Sequence, residues 1–216
     1  MTILEEMLES KVVSIVRRVY GEDLKNLAGA LCAGGVKFIE CTFDQVDPDH
    51  LKKTAEAISM LKETYGDKMH VGAGTVLTPA QVNAAYEAGG EFIISPNVSP
   101  AVIGRTRKLG LISIPGAMTP TEILTAHDLG ADVVKLFPAN TLGLKYIKDI
   151  MAPITHVKLL ATGGVTVDNF ADFLAAGMVG AGVGGYLSDK KLIAEGNWAE
   201  LTQRAEAFSA IARGKN

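Results

Sequence analysis

The sequence predicts an α/β protein, a (β/α)8 TIM barrel with a short N-terminal helix, on two observations. Short β-branched apolar runs recur along the whole 216-residue chain, each followed by an amphipathic helical stretch. The runs are almost continuously hydrophobic rather than alternating, as in parallel strands covered on both faces.

Taken in order, residues 2–9 read as a short helix plugging the barrel bottom. The strand runs are 12–16, 36–41, 70–74, 92–95, 111–114, 133–137, 157–161 and 180–183. The helices between them are 22–33, 48–64, 79–88, 100–109, 120–129, 142–151 and 168–176, with a last helix over 190–213. Several open on proline near the first helical position, behind Thr78, Ser99 or Thr119 as N-caps. Several end on a glycine able to take a left-handed backbone: Gly34, Gly89, Gly110, Gly130 and Gly177. An open doubly wound sheet is the alternative. Eight similar units without a second domain close more naturally into a ring. The whole of 1–216 is therefore expected to be a single domain.

Composition narrows the function. An apolar fraction of 48% suits a compact core, and a net charge of −3 leaves no electrostatic footprint for nucleic acid. Cys32 and Cys41 form no CxxC pattern and are expected to stay reduced in a cytoplasmic protein. The acidic N-terminus is not a signal peptide, and the glycine-rich run 173–187 is too short to span a membrane. The four histidines match no zinc spacing, so neither a metal nor another cofactor is expected.

Strand parity then sorts the polar residues. Val36, Phe38, Glu40 and Thr42 share one face, and Val133, Lys135 and Phe137 another. Further inward sets are Val13, Ile15, Arg17; Val71, Ala73, Thr75; and Lys158, Leu160, Thr162. Polar chemistry gathers at the C-terminal strand ends, where barrel enzymes build their sites. Lys158 begins its strand about 13 Å below Thr162, at the barrel bottom, and Lys37 has outward parity. Neither competes with Lys135.

Lys135 and Glu40 each sit inside an apolar run. A structural ion pair there is seldom worth net stability, which favours a catalytic role. A lysine attacks a carbonyl only when neutral, and an apolar setting favours that form. Glu40 is the inward carboxylate near the rim, suited to general acid/base work. The protonated imine so formed is an electron sink for breaking a neighbouring C–C bond. Thr162-Gly163-Gly164 and Gly182-Val183-Gly184-Gly185 follow the seventh and eighth strands, where barrels often bind phosphate through backbone N–H groups. Gly72-Ala73-Gly74-Thr75 permits close approach of a substrate carboxylate, and Ser95-Pro96-Asn97 and Ile114-Pro115-Gly116 add rigid turns.

At these residues the chain resembles the KDPG/KHG aldolases, class I aldolases acting on 2-keto-3-deoxy-6-phosphogluconate and 4-hydroxy-2-oxoglutarate. The resemblance runs over nearly the whole chain. It is carried by Gly34-Gly35-Val36, Ile39-Glu40-Cys41-Thr42, Val71-Gly72-Ala73-Gly74-Thr75-Val76, Ile94-Ser95-Pro96-Asn97, Val134-Lys135-Leu136-Phe137-Pro138-Ala139 and Ala161-Thr162-Gly163-Gly164-Val165. It implies Lys135 as Schiff-base lysine and Glu40 as acid/base. Arg17 and Thr75 would hold the pyruvyl carboxylate of a small 2-oxo acid. Pro96, Phe137, Thr162, Gly163, Gly164, Gly184 and Gly185 would line the substrate pocket, and the protein would be a homotrimer.

Two positions depart from the family pattern. Asp44 stands where some members carry arginine, which leaves Arg17 alone on the carboxylate or suits the loop 42–48 to another substrate. Gly185 followed by Tyr186 stands where many members carry serine, removing a hydroxyl donor worth about 1.5–3 kcal/mol. The aldehyde half is thus left open between phosphorylated and unphosphorylated. Two other readings compete: a phosphate-binding barrel isomerase or epimerase with Glu40 as base, and a non-catalytic 2-oxo-acid-binding barrel.

Overall fold

The computed structural model describes residues 1–214. Helices and strands alternate in the order α1 (Ile3–Ser10), β1 (Val12–Val16), α2 (Gly21–Ala33), β2 (Phe38–Thr42), α3 (His50–Tyr65), β3 (His70–Gly74), α4 (Pro79–Glu87) and β4 (Phe92–Ile94). They continue with α5 (Pro100–Lys108), β5 (Ile112–Ile114), β6 (Gly116–Ala117), α6 (Pro120–Asp128), β7 (Val134–Leu136) and α7 (Ala139–Met151). The chain ends on β8 (Leu159–Thr162), α8 (Val167–Ala175), β9 (Gly180–Val183), α9 (Lys190–Ala194) and α10 (Trp198–Ala212).

All ladders are parallel, in the order β5-β4-β3-β2-β1-β9-β8-β7-β6. The two ends of this order are consecutive in the chain. β5 and β6 form one stave interrupted at Pro115, which has no N–H for a ladder but accepts through its carbonyl from the Lys135 N–H at 2.8 Å. The lower half of that stave pairs with β4 and the upper half with β7, so the ring closes as a (β/α)8 TIM barrel.

Local chemistry explains most boundaries. Thr78 and Thr119 make reciprocal capping boxes with Gln81 and Glu122, and the Ser99 side chain accepts from the Val102 N–H. Gly89, Gly110, Gly130 and Gly177 take positive φ after their helices. At the end of α2 that conformation falls on Gly35, not on Gly34 as expected; Gly34 is the C-cap, and it must be glycine for a different reason, since a Cβ there would lie 2.4 Å from the Ala205 Cβ of α10. The expected last helix is two helices, broken around Gly196. α7 starts earlier than its hydrophobic pattern, at Ala139, and is interrupted by Gly143.

Two parity expectations fail. β2 begins at Phe38, and Val36 packs in the outer layer between strands and helices. On β3 the inward face belongs to His70, Gly72 and Gly74, while Val71 and Ala73 pack outward with Leu24, Ile39 and Ile58. Past His70 both faces of that strand carry only small or apolar residues, so composition could not separate them. Position 72 has no room for a side chain because the Phe92 ring fills the barrel there, 2.5 Å from where a Cβ would stand.

The barrel interior is a separate small core of Val13, Phe38, Phe92, Ile94, Ile114, Val133 and Leu160. Met7 of α1 joins it from below, with Ile3, Leu4 and Leu8 packed alongside, so α1 stoppers the bottom. Among the described residues no helix is long and apolar enough to cross a membrane.

Candidate active site

Glu40 and Lys135 project into the barrel from the middle of β2 and β7, 1% and 4% exposed. No hydrogen-bond partner reaches Glu40 Oε2. Burial pushes the Glu40 carboxyl up, against the pull of the Lys135 and Arg17 charges. Burial likewise pulls the Lys135 ammonium down, with Arg17 adding to the effect and Glu40 opposing it. Each group therefore shifts toward its neutral form, and each lies in the field of the other. Lys135 Nζ is 5.1 Å from the centroid of the Phe137 ring.

Glycines make the room for this pair. A Cβ at Gly74 would stand 2.6 Å from Glu40 Oε1, so β3 must be bare where it passes the carboxylate. The expected reason for glycine there was access for substrate; the observed neighbour is a side chain of the protein. Similarly, a Cβ at Gly182 would lie 2.8 Å from the Thr162 hydroxyl, which is buried without a partner.

Above the pair, two cavities open on the C-terminal rim. One, of about 800 Å³, is bordered by Arg17, Arg18, Thr42, Asp44, Thr75 and Pro96. The other, of about 460 Å³, is bordered by Arg17, Phe137, Thr162, Gly163, Gly164 and Arg204. Arg17, Gly184 and Gly185 belong to both walls. Glu40 and Lys135 lie two residues down their strands from the bordering Thr42 and Phe137, about 7 Å deeper. The rim thus brings together Arg17, Thr75, Pro96, Phe137, Thr162, Gly163, Gly164, Gly184 and Gly185 over the buried pair. A further hollow of about 590 Å³, between α3 and α4 on the outer surface, contains none of these groups.

Backbone geometry places several of them. Thr75 reaches the cavity although β3 has the opposite parity, because its φ of 55 turns the chain just past the strand end. Gln45 Nε2 donates to the Thr75 carbonyl at 2.8 Å and pins that turn. Arg18, at φ 57, is a second left-handed non-glycine residue at this rim. Its guanidinium grips Asp44 through both arms, at 2.7 and 2.9 Å. That contact holds the Asp44 carboxyl below the usual range. The N–H groups of Gly163, Gly164, Gly184 and Gly185 make no hydrogen bond among the described residues.

Sequence reasoning missed Arg18, Gln45, Asp189 and Arg204 at this rim. Parity assigns Arg18 to the outer face, and only its left-handed backbone brings it back. Arg204 arrives from α10, and nothing near it in sequence marks it as part of a site.

A closed parallel barrel that buries an amine and a carboxylate beneath an open, glycine-rimmed mouth defines an enzyme built for carbonyl chemistry. Residues 3–204 match the KDPG and KHG aldolase family, to which the chain belongs. It is an aldolase, hence a lyase. It is 35% identical to the 2-dehydro-3-deoxy-phosphogluconate aldolase of Treponema pallidum, over 93% of both chains. It is 36% identical to the 2-dehydro-3-deoxy-6-phosphogalactonate aldolase of Escherichia coli K12, over 91% of this chain and 92% of that one. Among solved structures, the KDPG aldolase of Legionella pneumophila, with pyruvate captured as a covalent carbinolamine, superposes with a TM-score of 0.84 at 28% identity. That match covers 96% of this chain and 98% of the other.

Proposed function

We propose that this class I aldolase reversibly cleaves a 2-keto-3-deoxy-6-phospho sugar acid to pyruvate and a phosphorylated aldehyde. The carrying observation is the burial of Lys135 and Glu40 together, both biased to neutral, below a cavity ringed by glycine N–H groups. Two relatives named for the phosphogalactonate, at 36% and 37% identity, and others named for the phosphogluconate support this substrate class.

The Lys135 Nζ lone pair attacks the C2 carbonyl, and Glu40 moves the protons that turn the carbinolamine into an iminium with loss of water. The iminium accepts the electron pair of the C3–C4 bond as Glu40 takes the C4 hydroxyl proton. The aldehyde departs and leaves an enamine. Protonation at C3 and hydrolysis then free pyruvate and the lysine. Arg17 and Thr75 hold the pyruvyl carboxylate, with Asp44 withdrawn into its pair with Arg18. Thr162, Phe137 and Pro96 wall the pocket. The free N–H groups of Gly163, Gly164, Gly184 and Gly185 receive the phosphate.

The protein works as a single domain and a homotrimer in the cytoplasm. Val46, Leu77 and Met118, exposed apolar side chains, support association, and phosphorylated substrates are confined inside cells. Incubation with pyruvate and borohydride is expected to add a reduced pyruvyl mass to the peptide carrying Lys135. A folded protein that gains no such mass would refute the Schiff base.

A further inference from the structure

We propose that Arg204 is a specificity-determining residue of this aldolase, binding the phosphate ester of the aldehyde half through its unpaired Nη2 edge. The inference rests on the phosphate reading above and deepens it.

Arg204 comes from α10, yet it borders the same cavity as the four glycine N–H groups. Its side chain is 22% exposed and held on three sides. Nε donates to Glu200 Oε1 at 2.9 Å, and Nη1 donates to the Tyr186 carbonyl at 3.1 Å and Asp189 Oδ2 at 3.3 Å. The guanidinium plane lies over the Tyr186 ring, 4.7 Å from its centroid, and that ring is itself set edge-on against Phe208. Such bracing leaves little rotamer entropy to lose on binding. Nη2 makes no hydrogen bond among the described residues, so its two N–H groups remain for a ligand.

The carboxylates beside it do not close the site to anions. Asp189 Oδ1 already accepts the Lys191 and Leu192 N–H groups, at 2.9 and 3.3 Å, and Oδ2 faces Arg204. Glu200 faces Nε. Gly185, which borders the same cavity as Arg204, faces open space, since a Cβ built there would meet nothing within 4 Å. The guanidinium keeps its charge at any working pH, and its two Nη2 N–H groups give a phosphate oxygen charge-assisted donors in a fixed direction. Tyr186 serves as the platform, so the residue next to Gly185 supports a donor from another helix instead of being one.

The test compares kcat/KM for phosphorylated and unphosphorylated 2-keto-3-deoxy sugar acids of one carbon skeleton. The readout is their ratio, in which any loss of folded enzyme cancels. In Arg204→Met the ratio is expected to fall about 10- to 100-fold, with inhibition by inorganic phosphate weakened in parallel. Arg204→Lys, which keeps the charge without the fork, should fall between it and the parent. A parent that strongly prefers the phosphorylated substrate and an Arg204→Met ratio equal to it would overturn the role of Arg204 and leave the phosphate reading standing. A parent ratio near one would overturn both.

Discussion

The bottom of this barrel and the interior beneath its mouth hold their ionisable groups in opposite ways. At the bottom, His70 stacks on Phe38, with its ring nitrogens 3.0 Å from Glu6 and 3.2 Å from Glu91. Lys37 pairs with Glu6 at 2.7 Å and Lys62 with Glu91 at 3.0 Å, while Glu91 also accepts the Val71 N–H. Each of these five ionisable side chains has a partner, and the network ties α1 to β3, α3 and the approaches to β2 and β4. Beneath the mouth, Glu40 and Lys135 are more deeply buried, no ion pair within 4 Å joins them, and Glu40 Oε2 has no partner at all. Paired charges at a half-exposed end hold a stopper in place. Two buried ionisable groups left without ion-pair partners cost stability, which fits the catalytic roles proposed for them.

The comparison predicts how each region breaks. Lys135→Met is expected to lower kcat/KM by about four orders of magnitude or more, and to abolish pyruvate trapping by borohydride. Its melting temperature should shift by no more than a few degrees, since burial already biases Lys135 to its neutral form and lets Glu40 stay protonated without it. A marked fall in melting temperature would mean that Lys135 is structural after all.

Gly74→Ala tests the room made for Glu40. The new Cβ displaces the carboxylate by close contact, so kcat should fall about 100-fold while the chain still folds. Wild-type turnover would show that the position of Glu40 is not critical.

Glu91→Ala sits at the bottom. It removes an acceptor for Val71 N–H, Lys62 and His70 together, and should cost about 1–3 kcal/mol by denaturant unfolding. The kcat/KM of the folded variant is expected to remain that of the parent. A loss of turnover there would show that the bottom is coupled to the chemistry.

The smallest effect is in pH dependence, where the two regions should slope oppositely. Lys37 first and His70 second hold Glu6 below the usual carboxylate value. Its stabilising contribution is therefore present above the unfolded-state value and fades as pH falls through the folded one. Burial raises Glu40, so the native state binds the proton more tightly, and stability falls as pH rises through that window. Relative to the parent, Glu40→Gln should become more stable with rising pH and Glu6→Gln less so. Melting curves between about pH 3 and 7 would read both slopes, and equal signs would contradict the comparison.

Much of the barrel was legible because its signals are local. Apolar runs of strand length, Thr or Ser before Pro-initiated helices, and glycines after them locate the staves and most helices. The errors fall where tertiary contacts override the local pattern. Pro115 splits one stave between two neighbours, and Gly34 serves the close approach of α10 while Gly35 makes the turn. The inward face of β3 depends on Phe92 and Glu40, which approach from other strands.

Sequence by itself determined the aldolase barrel and its unusual pair, because a lysine and a glutamate inside apolar strands stand out in one dimension. The tertiary structure decided what surrounds them. It turned Thr75 and Arg18 through left-handed backbone to the rim, paired Arg18 with Asp44, and brought Arg204 from α10 to the glycine loops. Those relations join residues far apart in the chain, and their partners become neighbours only when the ring closes.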